Sequence, residues 1–134
     1  MGKLTEFLMG SQVDTATAEV TVAGFPHPFT VKSITEGENK QLRKSCQNVH
    51  FDKKTHQRTV ETDQDLYNDR LVAACCVEPN FKDAALQEHY GVVGAEALID
   101  KLLKPGQFIE LLLAIQEVNG FREDLNELRD EAKN

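Results

Sequence analysis

Apolar positions in this chain follow two different periods, and the change from one to the other divides it. Ala18-Glu19-Val20-Thr21-Val22 alternates with period two, and so does Phe29-Thr30-Val31-Lys32-Ser33-Ile34, the spacing of half-buried strands. Gly24-Phe25-Pro26-His27-Pro28 breaks the pattern between them, so the pair reads as a loose hairpin. Thr35 is placed to cap a helix from Glu36 to about Gln47, with Leu42 and Cys46 on one face. Asn48 to Val60 reads as a second hairpin turning at Asp52-Lys53-Lys54-Thr55, with a flexible loop as the alternative.

From Thr62 onward the helical period takes over. Thr62 stands where a cap belongs, and a helix is expected to run to about Val77 with Tyr67, Leu71, Ala74 and Cys75 on its apolar face. Asp63 and Asp65 suit the positive end of that helix, and Pro79 pushes Glu78 out of helical geometry. Phe81 to His89 is read as a short helix closed by Tyr90-Gly91, and Arg122 to Asn134 as a charged helix anchored only by Leu125 and Leu128. Residues 1–16 carry a brief helical pattern at Leu4, Phe7 and Leu8 before the polar, small-residue stretch from Ser11 to Thr17, and are expected to form a mobile or partner-dependent arm.

The segment that constrains the fold most is Gly94 to Phe121, two helices split by Lys104-Pro105-Gly106. Pro105 suits a first helical turn, and Asn119-Gly120 followed by Phe121 suits a helix end. In the second helix Phe108, Leu111, Leu112, Ile115 and Val118 share one face, and Ile109 and Leu113 widen it. At roughly 100° per residue the apolar arc covers more than half the circumference. A surface helix needs an apolar stripe of only about 100°. This helix is therefore expected to be covered on more than one side, by its own domain, a second copy or another protein. Gln116 falls inside the arc. Either its stem packs while the amide stays partly exposed, or the amide is buried and fixes the register of a helix contact. Phe108, Ile109, Leu112, Leu113, Ile115, Gln116 and Phe121 are the candidate partner-binding residues. The architecture expected is a single α+β domain over residues 1–134, mainly helical, with a small N-terminal β-hairpin region beside a C-terminal helical bundle.

Composition narrows the function by exclusion. The net charge is −7, which argues against a nucleic-acid binder that must neutralise phosphates. The cluster from Lys53-Lys54 to Arg58 is short and reads as solvated hairpin charge. No apolar run approaches the roughly 20 residues that cross a bilayer, and MGKLTEFLMGS lacks the core of a secretory signal. A cytoplasmic protein is expected, with no membrane or nucleic-acid partner. Cys46, Cys75 and Cys76 have no metal or redox spacing and are expected to be buried free thiols.

No catalytic constellation is visible. His27 sits between prolines in a turn, and His89 suits the C-terminal end of a short helix. His50 and His56 would face one another across the second hairpin, but two ligands without a third do not make a metal site. No nucleophile elbow, zinc-helix motif or phosphate-cradling glycine loop occurs. No catalytic residue, cofactor or metal is assigned, and binding rather than catalysis is expected.

Several segments, in order and spacing, carry a family resemblance. They are Val77-Glu78-Pro79-Asn80-Phe81-Lys82-Asp83-Ala84, Tyr90-Gly91-Val92 leading to Gly94-Ala95-Glu96, Leu103-Lys104-Pro105-Gly106, and Gln116-Glu117-Val118-Asn119-Gly120-Phe121. The opening Lys3-Leu4-Thr5-Glu6-Phe7-Leu8 and the ending Asn126-Glu127-Leu128 through Asn134 extend it. The chain resembles the XkdN-like family of phage tail assembly chaperones over essentially its whole length. That resemblance implies a non-enzymatic protein of the host cytoplasm that binds the helical tape measure protein and keeps it soluble. It would assist tail-tube assembly and be absent from the mature virion. Self-association is a further expectation, beside what the resemblance implies. A tail or neck component retained in the particle, and a small host-directed interaction protein, are the competing readings. A metal enzyme built on the histidines is a weaker third.

Overall fold

The computed structural model describes residues 15–121 together with Lys3 and Glu6. Along them run β1 (Thr17–Val20), β2 (Phe29–Lys32), α1 (Glu36–Ser45), β3 (Gln47–Phe51), β4 (Arg58–Thr62), α2 (Gln64–Cys75), β5 (Cys76–Glu78), α3 (Ala84–His89), α4 (Ala95–Leu102) and α5 (Pro105–Val118). This is an α+β fold with strands mostly N-terminal and helices C-terminal, as the patterning predicts. The expected charged helix over 122–134 lies outside the described residues, as does the expected arm apart from Lys3, Glu6, Thr15 and Ala16.

Local chemistry sets most boundaries. Thr35 opens α1 with a reciprocal cap: its Oγ1 accepts from the Glu38 N–H, and Glu38 Oε1 accepts from the Thr35 N–H, both at 3.2 Å. The helix ends at Ser45, short of the expected Gln47, because Gln47 joins β3 opposite Thr62. That pairing also takes Thr62 out of the capping position. Asp63 caps α2 instead, with its Oδ1 accepting from the Leu66 N–H at 3.1 Å. α3 likewise starts later than the expected Phe81, because Asp83 accepts from the N–H groups of Ala85 and Leu86. α5 begins with Pro105 and closes with two reversed bonds, Gly120 N–H to Glu117 O and Phe121 N–H to Gln116 O. Gly120 takes the left-handed φ of +82° that this closure requires.

β5 replaces the predicted last turn of α2. Cys76 is extended, and Cys76–Glu78 pairs antiparallel with the edge of β2 that β1 leaves free, giving a three-stranded sheet in the order β1-β2-β5. Pro79 favours extended backbone just before it, and the open edge of β2 supplies the backbone partners a third strand needs.

The core lies between this sheet and the helices. Phe29 and Val31 of β2, Leu71, Val72, Ala73 and Cys75 of α2, Leu98 and Ile99 of α4, and Leu111, Leu112 and Ile115 of α5 are all buried. Each of the valine, leucine, isoleucine and phenylalanine side chains contributes about 1.5–3 kcal/mol on transfer from water. The wide apolar arc of α5 is accounted for: β1 and β2 pack on it and so does α2. α2 is the more central helix, meeting α1, α4, α5 and β5. Of its predicted apolar face, Leu71 and Cys75 are fully buried, whereas Tyr67 and Ala74 are half-buried. Asn119 ties the far end of α5 to the sheet: its Oδ1 accepts from the Ile34 N–H at 2.8 Å and its Nδ2 donates to Ile115 O at 2.8 Å.

β3 and β4 form a separate two-stranded hairpin, with Val49 opposite Val60 and Phe51 opposite Arg58. Asp52 shapes its loop: the carboxylate accepts from the Lys54 N–H, and the backbone N–H donates to Gln57 O. His56 completes the turn with φ of +57°. Every residue of both strands is exposed.

Candidate partner-binding surface

The predicted partner-binding residues on α5 separate by burial. Leu112, Ile115 and Gln116 point into the fold and are buried. Phe108, Leu113 and Phe121 are half-buried, and Ile109 is 38 % exposed. The structure therefore divides the set into an inner row that holds α5 in place and an outer remainder with apolar surface left over. Gln116 is the one polar member of the inner row, 7 % exposed, and its Oε1 has no hydrogen-bond donor among the described residues.

Several concavities open on the surface. The first is an apolar cleft of about 510 Å³ walled by Phe25, Pro26, Pro28 and Phe29 from the β1–β2 connection, Pro79 and Phe81 after β5, Leu86 and Tyr90 of the α3 region, and Leu102 and Leu103 at the end of α4. Phe25 and Phe29 meet edge to face with ring centroids 5.0 Å apart, which fixes one wall. Sequence reasoning treated these prolines and aromatics as turn punctuation. Their density in connecting segments was the signal of an apolar surface patch, since contiguous exposed apolar patches, unlike single exposed residues, mark interaction sites.

The second concavity, of about 540 Å³, has an apolar floor and an acidic rim. Ile99, Leu103, Pro105 and Phe108 lie beneath Asp65, Asp69 and Asp100. Desolvation, then the charges of Asp100, Glu96, Asp65 and Asp63, push the Asp69 carboxyl up to about 6. Nearby, Arg70 Nε donates to Glu96 Oε1 at 2.9 Å and Arg70 Nη1 to Ser45 O at 2.9 Å, joining α2, α4 and the end of α1. Among the described residues this is the only ion pair, so Asp65, Asp69 and Asp100 have no cationic partner there. The third concavity, of about 550 Å³, is polar and is lined by Thr35, Glu36, Asn39, Arg43, Tyr67, Gln116 and Asn119 among others. Inside it Asn39 Nδ2 donates to Glu36 Oε1 and the Tyr67 hydroxyl to Asn39 Oδ1.

The histidines do not converge. His50 lies on the face of the second hairpin opposite to Val49 and Phe51, whereas the His56 ring packs against Phe51, centroids 6.3 Å apart. His27 is exposed beside the apolar cleft, and the His89 ring meets Tyr90 at the end of α3. Among the described residues no three of His, Cys, Asp or Glu form a group able to hold a metal ion. No helix among them is long and apolar enough to cross a membrane. The three cysteines are buried and free. Burial, then the neighbouring Cys75, pushes the Cys76 thiol up to about 12, and burial likewise raises Cys75.

The apolar cleft, the acid-rimmed groove and the exposed hairpin are the features that suit a partner. Comparison with known proteins gives this surface a context. The model of the phage XkdN-like tail assembly chaperone proteins matches residues 4–133. The chain belongs to this family. YqbN of Bacillus subtilis (strain 168) is 28 % identical over 139 residues, covering 98 % of this chain and 93 % of its own. The XkdN protein of the phage-like element PBSX, from the same organism, is 26 % identical over 140 residues with the same coverage. The crystal structure of YqbN superposes with a TM-score of 0.69 at 23 % identity, covering 90 % of this chain and 98 % of that one. The fold is therefore shared with YqbN along nearly the full length. The cleft of this tail assembly chaperone family member is built in part from the Val77–Ala84 and Tyr90–Val92 segments that carried the resemblance.

Proposed function

We propose that this protein binds the tape measure protein of a tailed phage or prophage, keeps it soluble in the host cytoplasm, and releases it as the tail tube assembles. It acts by binding and not by catalysis, and it is absent from the mature virion. The observation that carries this reading is the apolar cleft between the β1–β2 connection and the α3–α4 segment, on a chain of a tail assembly chaperone family. An unassembled tape measure protein presents amphipathic helices. A cleft walled by prolines and aromatics accepts the apolar face of such a helix through anchors spaced three and four residues apart. Its walls include Phe29 and Phe81, which the core holds rigid, so little order has to be gained on binding. Ile109 and Leu113, with Phe108 and Phe121 at its two ends, give α5 a second apolar contact for the same partner, while Leu112, Ile115 and Gln116 support it from below.

The test is co-expression with the tape measure protein of the same gene cluster, scoring its solubility and co-purification. The expected result is a soluble complex with the natural chain and loss of it with the double substitution Phe25→Ser/Leu86→Ser, whose folding is verified by circular dichroism. A tape measure protein that stays insoluble beside a folded natural chain would overturn the reading. Stoichiometric amounts of this protein in purified particles, measured by mass spectrometry, would instead establish a retained tail component.

A further inference from the structure

The hairpin β3–β4 lacks what a two-stranded ribbon needs. Such a ribbon is marginal in water unless a third strand or a packed face supports it. Here all ten strand residues are exposed. The register places Val49, Val60, Phe51 and Arg58 on one face, and Phe51 is 61 % exposed. Both long edges of the ribbon are also unpaired among the described residues, where β3 and β4 bond only to each other. Natural proteins blunt or cover such elements. Charge distinguishes this one further: its tip carries Lys53, Lys54 and Arg58 against the single acid Asp52, within a chain of net charge −7. None of the three cations pairs with a carboxylate among the described residues.

The acid-rimmed groove has the complementary properties. Ile99, Leu103 and Phe108 form an apolar floor, and Asp65, Asp69 and Asp100 stand over it without a cationic partner among the described residues. The hairpin of the same chain does not fill it, since Phe51 remains open to solvent. We propose that the hairpin of one copy seats in the groove of a second copy, Phe51 over Ile99, Leu103 and Phe108, with Lys53, Lys54 and Arg58 facing Asp65, Asp69 and Asp100. This goes beyond the tape measure reading and does not depend on it.

The two surfaces are different patches of one molecule, so the contact is head-to-tail. Repeating it gives a closed ring or an open polymer. The contact is small, at the low end of specific interfaces, and a large part of its drive is charge. It is therefore weak and screened by salt, with a Debye length falling from about 10 Å at 0.1 M to about 3 Å at 1 M.

The experiment is sedimentation velocity on the full chain from 5 to 200 µM, at 50 mM and 500 mM NaCl. The expected result is concentration-dependent association at 50 mM that falls at least tenfold in apparent constant at 500 mM. The triple reversal Lys53→Glu/Lys54→Glu/Arg58→Glu and the triple reversal Asp65→Lys/Asp69→Lys/Asp100→Lys should each be monomeric. Mixing the two should restore association, because the acidic hairpin of one then meets the basic groove of the other. Phe51→Asp, at a position that supports no core, should also be monomeric while remaining folded. A natural chain that stays monomeric throughout, an association indifferent to either reversal, or two folded reversed variants that fail to associate on mixing would each overturn the proposal.

Discussion

Gln116 is a buried amide whose carbonyl oxygen accepts no hydrogen bond among the described residues, and it stands in the last turn of the helix that the sheet and α2 enclose. Leaving a buried acceptor unmet costs about 1–3 kcal/mol, whereas replacing it with an apolar group of the same shape restores most of that. Gln116→Met keeps the length and approximate volume of the side chain and removes the amide. The substitution is expected to stabilise the fold by about 1–2 kcal/mol. With a urea dependence of about 2 kcal/mol per molar for a chain of this size, the midpoint rises by about 0.5–1 M at unchanged slope. Gln116→Ala, which leaves a void, is expected to destabilise. The assay is equilibrium urea unfolding followed by circular dichroism. If Gln116→Met lowers the midpoint at constant slope, the amide makes a hydrogen bond in the folded chain, and the reasoning from an unmet acceptor is refuted.

Other consequences test the same picture. The Asp69 carboxyl, near 4 when unfolded, rises to about 6 in the fold, so the folded chain holds its proton more tightly and stability falls as pH rises between those values. The shift corresponds to about 3 kcal/mol unscreened, and solvent screening of this partly buried group reduces it to about 1 kcal/mol. Asp69→Asn should therefore stabilise by about that amount at pH 7.5 and by nearly nothing at pH 4, compared by urea midpoints. Leu71→Ala, at a fully buried position, should cost about 3–5 kcal/mol. Phe51→Ala in dilute monomer should change stability by less than about 0.5 kcal/mol, and equal losses would mean the hairpin supports the core. The buried thiols Cys46, Cys75 and Cys76 should resist a thiol reagent such as Ellman's in the native chain and titrate as three after denaturation. Rapid native labelling would contradict the packing.

Elements whose signals are local were legible in the sequence. Thr35 capping the helix that begins at Glu36, Pro105 opening α5 and Asn119-Gly120 closing it each act within one helical turn, and each stands where the pattern put it. The two hairpins were legible from alternation. β5 was not, because Leu71 to Val77 is a continuous apolar run, in which periodicity cannot separate a buried helix from a buried strand. Its strand character comes from the edge of β2, some 45 residues earlier in the chain. The α5 arc signalled cover on two sides, but which body supplied it was a tertiary fact, and the sheet and α2 supply it. The cleft was hidden for the same reason. Its walls come from four separated segments, each of which reads alone as a turn or a short helix end.

The cleft and the acid-rimmed groove share one residue, Leu103, which lines both. It follows α4 and precedes Pro105, so the two concavities lie on either side of the link between α4 and α5. A helix in the cleft and a neighbouring hairpin in the groove would therefore approach each other closely, meeting at Leu103 as a shared wall. Growth from copy to copy through the groove would repeat the cleft at regular intervals, and the tape measure protein offers a long succession of helical faces to fill them. In the proposed assembly each copy would be held by a few charges and one aromatic anchor, a weak and salt-screened contact that would let it go again. The tape measure helices would supply the avidity, because copies bound along one chain meet at high effective concentration. Loss of that template as the tube closes around it would disperse the copies without a separate disassembly step.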